Sequence, residues 1–156
     1  MKKGVNRMTQ YVVIGNGVAA VGCIEGIRKM DATGKILVIS EENHPVYCRP
    51  LISYCLEGKT TPEKMAYRTP DFYKKMGCEV YYGKKAVKIE PSKKVITLND
   101  NTLLSYDKLC LATGSSPFVP PFTGLESVEN KHSFMTMDDM LKLESSINKN
   151  SNVLII

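Results

Sequence analysis

The stretch Tyr11-Val12-Val13-Ile14-Gly15-Asn16-Gly17-Val18-Ala19-Ala20 constrains what this chain can fold into more than any other part of it. Its run of apolar, mostly β-branched residues reads as a strand buried on both faces. Glycine ends the run. From residue 18 to 30 the apolar positions Val18, Val21, Ile24 and Ile27 then fall at helical spacing, until Asp31-Ala32-Thr33-Gly34 stops the helix. Ile36-Leu37-Val38-Ile39 repeats the buried-strand pattern. Strand, helix and strand within about 30 residues make one βαβ unit, whose strands must be parallel and whose crossover is right-handed.

Gly15-Asn16-Gly17-Val18-Ala19-Ala20 also fits the pattern G-x-G-x-x-G/A, placed directly after a buried strand and opening a helix. Gly15 permits the tight turn. Gly17 lacks a side chain, so a pyrophosphate can approach the backbone and face the amides and the positive dipole end of the helix that starts near Val18 and Ala19. Ala20 lets the helix lie close to the strand. Glu41 follows the second strand, where a carboxylate accepts hydrogen bonds from a ribose diol; Glu42 would serve if the register differs by one. With no basic residue at 41–42, a 2′-phosphate on that ribose is disfavoured. The motif implies FAD or NAD and does not choose between them.

Further along, Arg49-Pro50 precedes an expected helix over 51–56, and a second short helix is expected over 70–76 with Pro at its first turn and Gly77 at its end. Segments 86–90 and 95–98 alternate with period two and are joined by Pro91-Ser92-Lys93-Lys94, the pattern of an antiparallel meander. Leu109-Cys110-Leu111-Ala112 is another buried strand, ending in Thr113-Gly114. A surface helix is expected over 137–147. The fold class is therefore α/β: a Rossmann-like parallel sheet with crossover helices and an inserted antiparallel meander.

Composition narrows the function. At 156 residues, 43% hydrophobic and 24% charged, the chain falls among ordinary globular domains. Its net charge of +5 is spread along the sequence, which slightly favours anionic ligands and gives no sign of nucleic-acid binding. No segment approaches the roughly 18 apolar residues of a membrane span. Five cysteines, an odd number without a C-x-x-C pair, read as reduced thiols in a cytoplasm. His44 and His132 have no Cys or acid at metal-ligand spacing, so no metal site is expected.

The strand ending Ala112-Thr113-Gly114, coming after a meander, resembles the second flavin-domain motif of the pyridine nucleotide-disulfide oxidoreductase family, and it tips the choice of ligand to FAD. Tyr47-Cys48-Arg49-Pro50-Leu51-Ile52-Ser53 is similar to the Tyr-x-Arg-Pro-Leu segment of the branch that includes rubredoxin reductase, the nitrite reductase large subunit and NADH oxidase-like flavoproteins. The resemblance implies that Arg49 supplies a cation to phosphate or flavin oxygens, that Pro50 opens a helix beside the flavin, and that the backbone at Val87 contacts adenine. It further implies electron flow from NADH through FAD to an acceptor such as rubredoxin or ferredoxin, and leaves room for an oligomer.

No catalytic side chain is assigned. In the disulfide reductases four residues separate the redox cysteines, whereas six separate Cys48 from Cys55, which puts them about 10 Å apart on a helix. Some relatives carry a Lys after the Ser of the Arg-Pro segment, where this chain has Tyr54. The expected layout is a polar lead-in over 1–9, an incomplete FAD-binding domain over 10–116, a connection with a surface helix over 117–151, and over 152–156 the first strand of a second, NAD-binding domain. The chain thus reads as the front part of a longer enzyme, or as a dinucleotide-binding piece with no turnover of its own.

Overall fold

A computed structural model describes residues 8–156; residues 1–7 of the expected lead-in lie outside the described residues. The chain divides into two compact units, one made of the residues up to Tyr47 together with Ala66–Gly114, the other of Cys48–Met65 and Ser115–Ile156.

The first unit contains, in chain order, β1 (Gln10–Ile14), α1 (Val18–Met30), β2 (Lys35–Ile39), α2 (Phe72–Lys75), β3 (Cys78–Tyr81), β4 (Ala86–Glu90), β5 (Val95–Leu98), β6 (Leu103–Ser105) and β7 (Lys108–Leu111). Strands β3-β2-β1-β7 form a parallel sheet, and β4-β5-β6 form an antiparallel one. Strand alternation then sorts the core into two layers. Val13, Ile36 and Val38 meet Ala20, Val21 and Ile24 of α1 on one face. Val12, Ile14, Leu37 and Ile39 meet Ile96, Leu98 and Leu104 of the meander on the other. This two-sided burial is why β1 and β2 carry unbroken apolar runs.

The helix α1 occupies the span its periodicity predicts. From its last turn, the Arg28 guanidinium donates to the carbonyls of Gly34 (2.8 Å), Asp31 (3.1 Å) and Met76 (2.6 Å), tying the α1–β2 connection to the turn that follows α2. Asp31 accepts from the backbone N–H of Gly34 and from the Tyr11 hydroxyl, and these bonds hold its carboxyl below the usual range.

Two expectations differ in detail. The meander has a third strand, β6, which the period-two reading missed because Leu103 is apolar yet exposed, so no alternation is visible in the letters. The short helix of 70–76 starts at Phe72 with Asp71 as its cap, leaving Pro70 outside the first turn.

In the second unit, a 3₁₀ turn over Arg49–Leu51 leads into α3 (Ile52–Leu56), which packs with α4 (Met137–Ser146). A capping box starts α4: the Asp139 N–H donates to Thr136 Oγ1, and the Thr136 N–H donates to the Asp139 carboxylate. The stretch 48–65, expected within the nucleotide-binding domain, groups with residues 115–156 instead, a long-range association that no local pattern encodes. Residues 152–156, expected as a strand, pair with no described segment and are exposed; a strand exists only through its ladder.

Ile24 is fully buried between helix and sheet. Replacing it with Ala should lower the free energy of unfolding by about 2–5 kcal/mol, read from urea denaturation.

Candidate functional site

The loop between β1 and α1 is built by two glycines with different reasons for being there. Gly15 has φ +109°, and a Cβ on it would lie 2.1 Å from the carbonyl oxygen of Ala112. It must therefore be glycine for both its backbone conformation and its packing. Its N–H donates to the Ile39 carbonyl at 2.8 Å, while the Ala112 N–H donates to the Ile14 carbonyl at 2.8 Å. The ends of β1, β2 and β7 thus converge on this one residue. The two glycine motifs recognised separately in the sequence lie side by side.

Gly17 is different. A Cβ there would meet nothing within 4 Å, so no protein contact requires a glycine. The residue is the N-cap of α1, contributes no side-chain cap, and no acidic side chain stands in the first turn. Val18 and Ala19 are exposed, and Ala20 is fully buried against the sheet, as its proposed packing role requires. The 13-residue helix thus presents its first-turn amides and dipole end to open space, the arrangement that attracts a phosphate. The chain's glycine leaves room where a pyrophosphate would lie, so the residues present fit a dinucleotide.

The remaining candidates are placed as follows. Glu41 is exposed beyond β2 and pairs with Lys85 at 2.8 Å. Glu42 is half-buried and accepts a hydrogen bond from the Tyr47 hydroxyl. Val87 is 58% exposed, which excludes a core role, and the β4–β5 register shifts between Ala86 and Lys88, on either side of it. The backbone at Val87 is therefore released from regular ladder pairing. Ala112 is buried at the end of β7, and Thr113 and Gly114 follow it exposed, Gly114 with φ +68°. Arg49 and Pro50 open the 3₁₀ turn of the second unit, closed by the Leu51 N–H on the Cys48 carbonyl at 3.0 Å.

Sequence reasoning missed three residues. Asn16, read as the free position of G-x-G, donates from Nδ2 to the His44 carbonyl (3.2 Å) and accepts the Tyr73 hydroxyl on Oδ1. Lys85 reaches Glu41 from 44 positions away. Neither pairing leaves a local signal. A cavity of about 420 Å³ lies beside β3, lined by Tyr81, Tyr82, Lys84 and Asp100 among others, and none of the loop residues lines it.

All five cysteines are free thiols. Burial pushes the Cys78 thiol up to about 11, and burial with a hydrogen bond to Cys110 does the same for Cys23. Both are therefore poor nucleophiles at neutral pH. Among the described residues, no group of three His, Cys, Asp or Glu side chains is placed to hold a metal ion.

The profile of the family described as pyridine nucleotide-disulphide oxidoreductase matches residues 9–156. The epsilon subunit of NADH-dependent phenylglyoxylate dehydrogenase from Aromatoleum evansii is 34% identical over 95% of this chain and 35% of its own length. The assimilatory nitrate reductase electron transfer subunit of Bacillus subtilis is 33% identical over 83% of this chain and 17% of its own. A chain in the crystal structure of the covalent putidaredoxin reductase–putidaredoxin complex superposes with a TM-score of 0.77 at 27% identity, covering 90% of this chain and 34% of that one. The chain spans about a third or less of the length of these proteins. With the family profile covering nearly every residue and the glycine loop and its parallel sheet in place, this chain belongs to the pyridine nucleotide-disulphide oxidoreductase family.

Proposed function

We propose that this chain is the FAD-binding portion of an NADH-dependent flavoprotein oxidoreductase, in which electrons pass from NADH through FAD to a protein or small-molecule acceptor. The observation that carries this reading is Gly17: a glycine with open space where its side chain would stand, at the uncapped N-terminus of α1. When bound, FAD supplies the redox chemistry by accepting hydride from a reduced nicotinamide and passing electrons on.

The protein groups have binding roles. Amides of Val18, Ala19 and Ala20 receive the pyrophosphate, Glu41 takes the ribose diol, the Val87 backbone meets adenine, and Thr113 and Gly114 pass close to the dinucleotide. Arg49, a permanent cation after an extended residue, serves phosphate or flavin oxygens. Relatives named for NADH-dependent dehydrogenase and electron-transfer subunits support the direction of electron flow. The reductase–putidaredoxin complex supports a small electron-carrier protein, a ferredoxin or rubredoxin type, as the acceptor. Five free thiols fit a reducing cytoplasm, and among the described residues no helix is long and apolar enough to cross a membrane.

Because the chain spans about a third or less of these relatives, we assign it binding without NADH turnover when alone. Purified chain incubated with FAD and desalted should keep flavin absorbance near one equivalent; a colourless protein would overturn the assignment.

The two loop glycines should separate binding from folding. Gly17→Val should abolish FAD retention while leaving the unfolding midpoint nearly unchanged, because its side chain enters open space. Gly15→Ala should instead destabilise the fold, by several kcal/mol in urea denaturation, through positive φ and the collision with Ala112. Equal destabilisation by the two would refute the assignment of distinct roles.

A further inference from the structure

Within Gly15-Asn16-Gly17 the only side chain belongs to Asn16. A loop flanked by glycines is the most freely moving backbone a chain can have, and any freedom it loses on binding a ligand is subtracted from affinity. The Gly15 backbone is already held by Ile39, and the side chain that can add to that hold in advance of binding is Asn16. Its carboxamide is engaged at both ends, by the His44 carbonyl and by the hydroxyl of Tyr73 on α2, 57 residues later in the chain. The Tyr73 hydroxyl donates to Asn16 Oδ1, while Asn16 Nδ2 donates to the carbonyl of His44 in the loop after β2. One carboxamide thus joins the loop after β1 both to α2 and to the loop after β2.

We propose that Tyr73 is a positioning residue for the phosphate loop, its hydroxyl acting through Asn16 to hold the backbone that presents the α1 amides to a dinucleotide. This inference rests on the dinucleotide reading above. The placement of Tyr73 is itself firm: its ring meets Phe72 edge-on at 5.2 Å and Tyr82 at 6.5 Å. The Arg28 guanidinium also fixes the turn following α2 through the Met76 carbonyl. Burial, followed by the neighbouring Tyr82, pushes the phenol up to about 12, so it remains a hydrogen-bond donor through neutral and mildly alkaline pH. Such a half-buried bond is sheltered from competing water.

Tyr73→Phe keeps the ring and its contacts and deletes only the hydroxyl. Titrations of the intact chain with ADP, which carries a pyrophosphate, and with adenosine, which does not, isolate the effect. The expected result is about a tenfold rise in the dissociation constant for ADP, the scale of one net hydrogen bond, with adenosine changed less than twofold and the unfolding midpoint little moved. Asn16→Ala should reproduce the ADP effect. The double variant should be no weaker than the worse single, because both remove one connection. Equal loss for ADP and adenosine, an unchanged ADP affinity in Tyr73→Phe, or additive losses in the double variant would overturn the proposal. Failure of the unsubstituted chain to bind ADP or FAD at all would overturn the underlying dinucleotide reading, and is distinguishable because it precedes any substitution.

Discussion

The first unit depends on the close approach of Gly15 to the backbone of Ala112. A single hydrogen atom occupies the place where any other residue would put carbon 2.1 Å from a carbonyl oxygen. That contact lets β1 and β7 finish side by side, with the Ala112 N–H donating to Ile14 as the Gly15 N–H donates to Ile39. Because the three strand ends meet there, the open side of the parallel sheet offers its loops together. A ligand at the carboxyl ends of the strands is what this topology favours.

Around that point the structure divides labour between rigid support and open space. Ile24, Val21 and Ala20 lock α1 onto the sheet, and Arg28 ties its far end to two connections. The near end is left without a side-chain cap and beside a glycine that the protein itself does not need. A helix terminus with no internal acceptor is costly to bury and cheap to leave exposed. Here it is exposed and aimed by a well-packed scaffold, which is what an anion site requires.

Much of this was legible in the sequence, and what was not has a common cause. Continuous apolar runs announced β1 and β2, since strands covered on both faces admit little else, and the glycine spacing announced the loop. Strand β7, expected to be buried as well, is instead an edge strand with Leu111 64% exposed, so its apolar run marked the strand and not its burial. The sequence also implied family membership, which the profile over 9–156 bears out. Hidden were contacts between residues far apart in the chain: Tyr73 with Asn16, Lys85 with Glu41, and the grouping of 48–65 with 115–156. Strand β6 was hidden for a different reason, because an exposed Leu103 erased the alternation that marks a half-buried strand. Also hidden were the different surroundings of the two acids after β2: Glu42 accepts the Tyr47 hydroxyl, whereas Glu41 is exposed beside Lys85.

The central claim is that the first-turn amides of α1 receive the pyrophosphate of a dinucleotide. Hydrogen–deuterium exchange with and without FAD tests it most directly, because it reports on those N–H groups one segment at a time. The account predicts that FAD slows exchange over residues 17–20 and, more weakly, over 112–114, while the meander turn at 91–94 is unaffected. Slowing confined to other segments, or none at residues 17–20 under saturating FAD, would contradict it.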